Sequence, residues 1–219
     1  LPSGKPKTTI MKKLLLLLAI CSIGLSFNGF AQKARVGVSG GFTLANMNGL
    51  TNGVQTTGDF LTGAVVGLYV DAPFAKHFTF LPGIYYVQKG MKVKSSGPAA
   101  VSYNLRYADA NLNVVYTTNI KRVKFFTGAG PSFGLNVPSK KVTKIGSSKT
   151  YTDITFGNTG SEDFKGLDLG ANFLVGIRLP CGGTLSVNYT QGFKNLSYAT
   201  GKTIYNNYVG IQLGFLFHN

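Results

Sequence analysis

The chain has two histidines, His77 and His218, and two cysteines, Cys21 and Cys181, so nucleophilic or metal chemistry would have to be built from very few side chains. A His-assisted hydrolase needs the imidazole within hydrogen-bond reach of a Ser, Cys or Asp. His77 ends the short turn Pro73–His77 and His218 is one residue from the C-terminus. The topology implied by the alternating segments places both at one end of the molecule, away from a surface-facing active site. A zinc centre needs clustered His, Cys or carboxylates, and the seven acids here are scattered. Gly128 and Gly130 have neither the Lys-Ser/Thr pair nor the helix that completes a phosphate loop. Cys181, in Pro180-Cys181-Gly182-Gly183, has no activating neighbour in sequence and reads as a free thiol. No catalytic, cofactor-binding or metal-binding residue is expected.

The charges say more. They make up only 13% of the chain, where a soluble domain carries about 25%. Arg35, Asp71, Lys124 and Arg178 share the inward phase of alternating segments near one end of the molecule, and Asp109 and Asp168 share it higher up. A charge inside a narrow lumen must be paired or hydrated, so Asp71 is expected to pair with Arg35 on the neighbouring strand as a structural plug. The basic excess falls on the connectors. Lys89, Lys92 and Lys94 surround one long loop, and Lys140, Lys141, Lys144 and Lys149 cluster in another, followed by Asp153, Glu162 and Asp163. Such lysines keep a loop solvated, or they meet the phosphates of outer-leaflet lipid or an acidic polymer outside the cell. Nucleic acid is not expected as a partner, because no binding motif accompanies the charge.

The elements that must position these residues begin after an export signal. From Met11 the sequence runs MKKLLLLLAICSIGLSFNGFAQ, a basic start, an apolar run to about Leu25 and a small-residue exit at Gly29 and Ala31. Cleavage is expected after Ala31, with residues 1–10 as upstream sequence, 11–31 as signal peptide and 32–219 as one domain. That domain holds 18 Lys and Arg against 7 acids, a formal charge of +11. With Cys21 in the signal, Cys181 is left without an intrachain disulfide partner.

Beyond the signal no apolar stretch is long enough for a membrane helix, whereas period-two alternation recurs. At the C-terminus Val209, Ile211, Leu213, Phe215 and Phe217 share one face against Tyr208, Gly210, Gln212, Gly214 and Leu216. Residues 167–179, 35–44 and 123–134 divide in the same way. Weaker versions at about 60–72, 78–94, 101–118 and 184–194 bring the count to eight strands. The faces of 78–94 stay unassigned, because Tyr85 and Tyr86 are adjacent and Pro82 interrupts the pattern. Short connectors (73–77, 119–122, 180–183) alternate with long ones (49–59, 95–100, 138–165, 195–206), the rhythm of a transmembrane barrel.

In a soluble barrel the second face would be charged. Here it is Gly, Ser, Thr and Asn with a few charges, which suits a narrow, filled lumen, while the large apolar face suits lipid. The fold expected is all-β, an eight-stranded antiparallel up-and-down transmembrane β-barrel with both mature termini in the periplasm.

Gly128-Ala129-Gly130-Pro131, the Tyr189, Gly192 and Asn195 spacing of YTQGFKN, and the apolar last strand NYVGIQLGFLF resemble the PorT-like small outer-membrane β-barrels, the outer membrane protein beta-barrel domain family. The resemblance implies an integral outer-membrane location and the eight-stranded fold. Phe217 would match the aromatic end read by the assembly machinery of such proteins. The expected function is non-enzymatic: a structural or surface-interaction role through the long outer loops, the chain a monomer in contact with outer-membrane lipid and an envelope protein or extracellular ligand. An accessory part in an envelope secretion or assembly machine is the alternative, and a small-solute channel the third reading.

Overall fold

The computed structural model describes residues 34–93, 99–120, 122–157 and 162–217. The expected signal segment, the residues ahead of it, Lys94 and His218 lie outside them. The described residues form β1 (Arg35–Thr51), β2 (Val54–Thr57), β3 (Leu61–Pro73), β4 (Phe78–Val93), β5 (Ala99–Ile120), β6 (Val123–Ile145), β7 (Ser148–Ile154), β8 (Phe156–Gly157), β9 (Phe164–Lys165), β10 (Leu167–Arg178), β11 (Gly183–Gly192) and β12 (Lys202–Leu216). Eight of these, β1, β3, β4, β5, β6, β10, β11 and β12, pair antiparallel around a ring that closes through β6–β10 and β1–β12. This is the eight-stranded up-and-down barrel that the alternation implied. Among the described residues no helix is long and apolar enough to cross a membrane.

The alternation becomes an inside and an outside. In β12 Val209, Ile211, Leu213 and Phe215 are exposed while Tyr208, Gly210 and Gln212 are buried, and in β1 Val36, Phe42 and Leu44 are exposed while Ser39, Thr43 and Ala45 are buried. Large apolar side chains on the outer face are the expected pattern for a wall solvated by lipid. The doubtful segment resolves cleanly: Thr79, Leu81, Tyr85, Val87 and Lys89 of β4 are buried, and Phe78, Phe80, Ile84 and Tyr86 are exposed. Pro82 fits because the β3–β4 ladder is interrupted between Tyr69↔Gly83 and Ala72↔Phe80, so the missing N–H falls where no bond is made to β3.

Two of the long connectors contain strands. The Asn52-Gly53 pair, with φ of 50° and 79°, turns β1 back into β2, because a two-residue hairpin of this kind needs positive φ at both positions. The expected loop at 138–165 is in large part sheet: β6 runs on to Ile145 and turns into β7, which pairs back along it. Pro138 suggests a stop, but the strand passes it through a bulge. The β5–β6 register shifts between Asn104 and Arg106, the Ser139 hydroxyl accepts the Arg106 N–H at 2.9 Å, and it donates to the Val137 carbonyl at 2.8 Å.

Two apolar clusters occupy the bore. One gathers Tyr69, Tyr85, Phe126 and Leu216; the other gathers Met47, Leu105, Tyr107, Phe164 and Leu196. The second includes residues from β9 and from the connector after β11, held by Lys165 N–H to the Leu196 carbonyl at 3.0 Å and Leu196 N–H to the Ile204 carbonyl at 2.9 Å. Tyr198 of the same connector donates its hydroxyl to the Gly157 carbonyl of β8. Desolvation and the Glu162 carboxylate keep that phenol above its ordinary pKa, so it remains a donor throughout the physiological range.

Candidate functional site

The strands present two places where polar side chains converge, the bore and the projecting β4–β7 sheet. At the end of the bore bearing the termini and short turns, Arg35 of β1 and Asp71 of β3 are register partners, and an Arg35 nitrogen lies 3.3 Å from Asp71 Oδ2. Arg178 of β10 reaches the same oxygen from across the barrel. Asp71 is completely buried, so two guanidinium groups supply the compensation that one enclosed carboxylate needs. Lys124, expected in this group, is exposed at the rim beside its register partner Arg178. It lies so close to the strand end that its inward phase carries it to the opening and not into the lumen.

Higher in the bore, Asp109 of β5 and Asp168 of β10 stand on either side of Gly134 of β6 in one row. A Cβ at Gly134 would meet Asp109 Oδ1 at 2.8 Å and Asp168 Cβ at 3.2 Å, so any larger residue there would crowd the two acids that meet across that strand. Between them enters the ammonium of Lys89, 2.8 Å from Asp109 Oδ2 and 3.1 Å from Asp168 Oδ2. Lys89 is not a loop residue: it is 2% exposed and lies over the rings of Tyr107 and Tyr208, 4.7 and 5.4 Å from their centroids. Asn206 adds a hydrogen bond to Asp168 Oδ2 at 3.2 Å. The signal for Lys89 was its phase with Leu81, Gly83, Tyr85 and Val87, which the adjacent tyrosines obscured.

Between the two charged layers lies a cavity of about 40 Å³, lined by Ser39, Tyr69, Asn111, Asn172 and Gln212 among others. Its amides are cross-linked: Ser39 donates to Gln212 at 2.8 Å, Gln212 to Asn188 at 2.7 Å, and Asn172 to Asn113 at 3.0 Å. Such a volume takes a few water molecules at most.

The basic connector is divided by the sheet. Lys141 lies on the same side as buried Ser139, its ammonium 5.7 Å from the Tyr103 ring centroid. Lys140, Lys144 and Lys149 are exposed on the opposite face. His77, in the β3–β4 turn, donates through Nδ1 to the Thr117 carbonyl at 3.1 Å and packs on Tyr116 of β5. Cys181 is exposed and free. Among the described residues no group of three His, Cys, Asp or Glu side chains is placed to hold a metal ion.

Comparison with known proteins places this architecture. No curated protein matches the chain. Among solved structures it is similar to Ail, the attachment invasion locus protein of Yersinia pestis (10% identity over 84% of this chain and 99% of that one, TM-score 0.44). It is also similar to Neisserial surface protein A (12%, 84% and 97%, 0.42) and to the outer membrane protein OprG from Pseudomonas aeruginosa (11%, 85% and 97%, 0.45). The roles of those proteins do not transfer at such distances. The family model described as outer membrane protein beta-barrel domain matches residues 30–198. With a closed eight-stranded ring, an apolar outer wall and that match over most of its length, the chain belongs to the outer membrane protein beta-barrel domain family and is an integral protein of the outer membrane.

Proposed function

We propose that the protein is a non-enzymatic, monomeric barrel with a filled lumen that works at the cell surface through the sheet projecting from its far end, its termini and short turns facing the periplasm after signal cleavage following Ala31. The observation that carries this reading is strand length. β5 and β6 have 22 and 23 residues where about 9 to 11 cross a bilayer, so roughly half of each stands clear of the membrane, with β7 attached to β6. The lumen below is occupied by ion pairs and aromatic rings, which favours an interaction surface over a conduit.

An epitope inserted after Gly146, at the β6–β7 turn, tests the orientation. Labelling of intact cells by antibody is the expected result; labelling only after the outer membrane is permeabilised would overturn it. The PorT-like placement, with an accessory part in an envelope secretion or assembly machine, is the competing reading. It requires a stoichiometric envelope partner on purification from crosslinked cells, and a barrel recovered alone counts against it.

A further inference from the structure

The outer face of the β4–β7 sheet continues the lipid-facing wall, and its charge changes abruptly along the strands. The row Val66, Tyr86, Ala108 and Leu135 runs across β3, β4, β5 and β6, with Val66 and Leu135 more than half exposed. One row further from the termini, Gln88, Arg106 and Val137 are partners. Arg106 lies between buried Leu105 and Tyr107, so its side chain belongs to the outer face. Its Nε is buried without a hydrogen-bond partner.

The next row sets Lys140 between Asn104 and Asp153. Two rows beyond it, Lys144 and Lys149 stand directly opposite each other on β6 and β7. Like charges directly opposed on a sheet are destabilising on their own. Lys92 also lies on this face, its backbone paired with that of Asp59; beyond that pair of opposite charges, Arg106, Lys140, Lys144 and Lys149 stand against Asp153.

We propose that this face binds the phosphate groups of outer-leaflet lipid, and specifically a headgroup bearing phosphates at more than one height, such as a phosphorylated glycolipid. The inference rests on the surface-facing reading above and names its ligand. Each row rises about 5 Å along a tilted strand. Arg106 and Lys140 therefore lie within the phosphate layer immediately above the apolar band, and Lys144 and Lys149 lie higher, level with a large sugar headgroup. A soluble acidic polymer would need none of this continuity with the acyl-chain wall.

The test uses the full-length folded protein in mixed micelles and reads bound lipid by native mass spectrometry. Retention of lipid A is expected to exceed that of phosphatidylglycerol, with phosphatidylcholine not retained. The triple variant Lys140→Gln, Lys144→Gln, Lys149→Gln should bind lipopolysaccharide with a phosphorylated inner core about 100-fold more weakly at low salt, since each such charge is worth on the order of fivefold. Arg106→Gln should also weaken binding, Asp153→Asn should tighten it, and Lys124→Gln at the opposite end should leave it unchanged. Heat-modifiable migration on gels verifies that each variant folds.

Equal retention of phosphatidylcholine, insensitivity to the triple variant, or binding of heparin without binding of lipid A would each overturn the proposal. These results are independent of the epitope result: a surface-labelled Gly146 turn with no lipid A bound removes this inference alone, and an unlabelled turn removes the orientation on which it rests.

Discussion

Removing the Lys89 ammonium would leave Asp109 and Asp168 facing each other across Gly134 with no cation between them. Breaking a buried ion pair on one side costs about 3–5 kcal/mol, because an uncompensated charge remains. Lys89→Met is therefore expected to lower markedly the temperature at which the compact, unheated gel form is lost. Combining it with Asp109→Asn should restore part of that loss, and a single variant as heat-resistant as the parent would show that the layer is not held by charge. This group was only partly legible in the sequence. The inward phase of Asp109 and Asp168 could be read from the alternation around them, weaker at Asp109 than at Asp168, but Lys89 sits beyond Pro82 and the Tyr85-Tyr86 pair, where the period could not be assigned. Two inward acids at one height were themselves a sign that a cation was missing from the account.

At the scale of elements, the bulge at Pro138 and Ser139 decides how far the barrel wall extends. A proline normally marks a strand end or an edge because it has no N–H to give the ladder. Here the Ser139 hydroxyl takes the Arg106 N–H, and the strand continues for several more residues. That substitution of a side chain for a backbone group depends on a three-dimensional partner, so the sequence suggested a loop from 138 onward. Ser139→Ala is expected to cost about 1–3 kcal/mol, because the Arg106 N–H is left without its acceptor. Its effect should concentrate in the projecting sheet: amide exchange should accelerate in β7 and the distal part of β6 while the β1–β12 seam keeps its protection. Uniform acceleration around the ring would show instead that the bulge supports the whole barrel. The basic lysines illustrate the same limit, since the flip in phase at the bulge decides that Lys140 faces outward and Lys141 inward.

For the whole molecule, the eight-strand count, the closure and the outward apolar face were legible because each rests on period-two alternation, which is a property of the chain itself. The filling of the bore was not, because it depends on which side chains meet across the barrel. With Arg35, Asp71 and Arg178 at one level, Lys89, Asp109 and Asp168 at another and a cavity of only about 40 Å³ between them, reconstitution into planar bilayers should give no resolved conductance steps at neutral pH. Reproducible single-channel steps would contradict the filled lumen.

The seam between the first and last strands also bears on how the barrel can be made. Gly37 pairs with Leu216 and Thr51 with Lys202, so β1 waits for nearly the entire chain before its second edge is covered. Until then any sheet of fewer than eight strands has two open edges, and hydrocarbon offers their N–H and C=O groups no substitute partner. Strand-by-strand entry into lipid is thus the costly route. The chain has either to close before it inserts or to borrow a foreign strand as a temporary neighbour for β1 until β12 arrives to displace it.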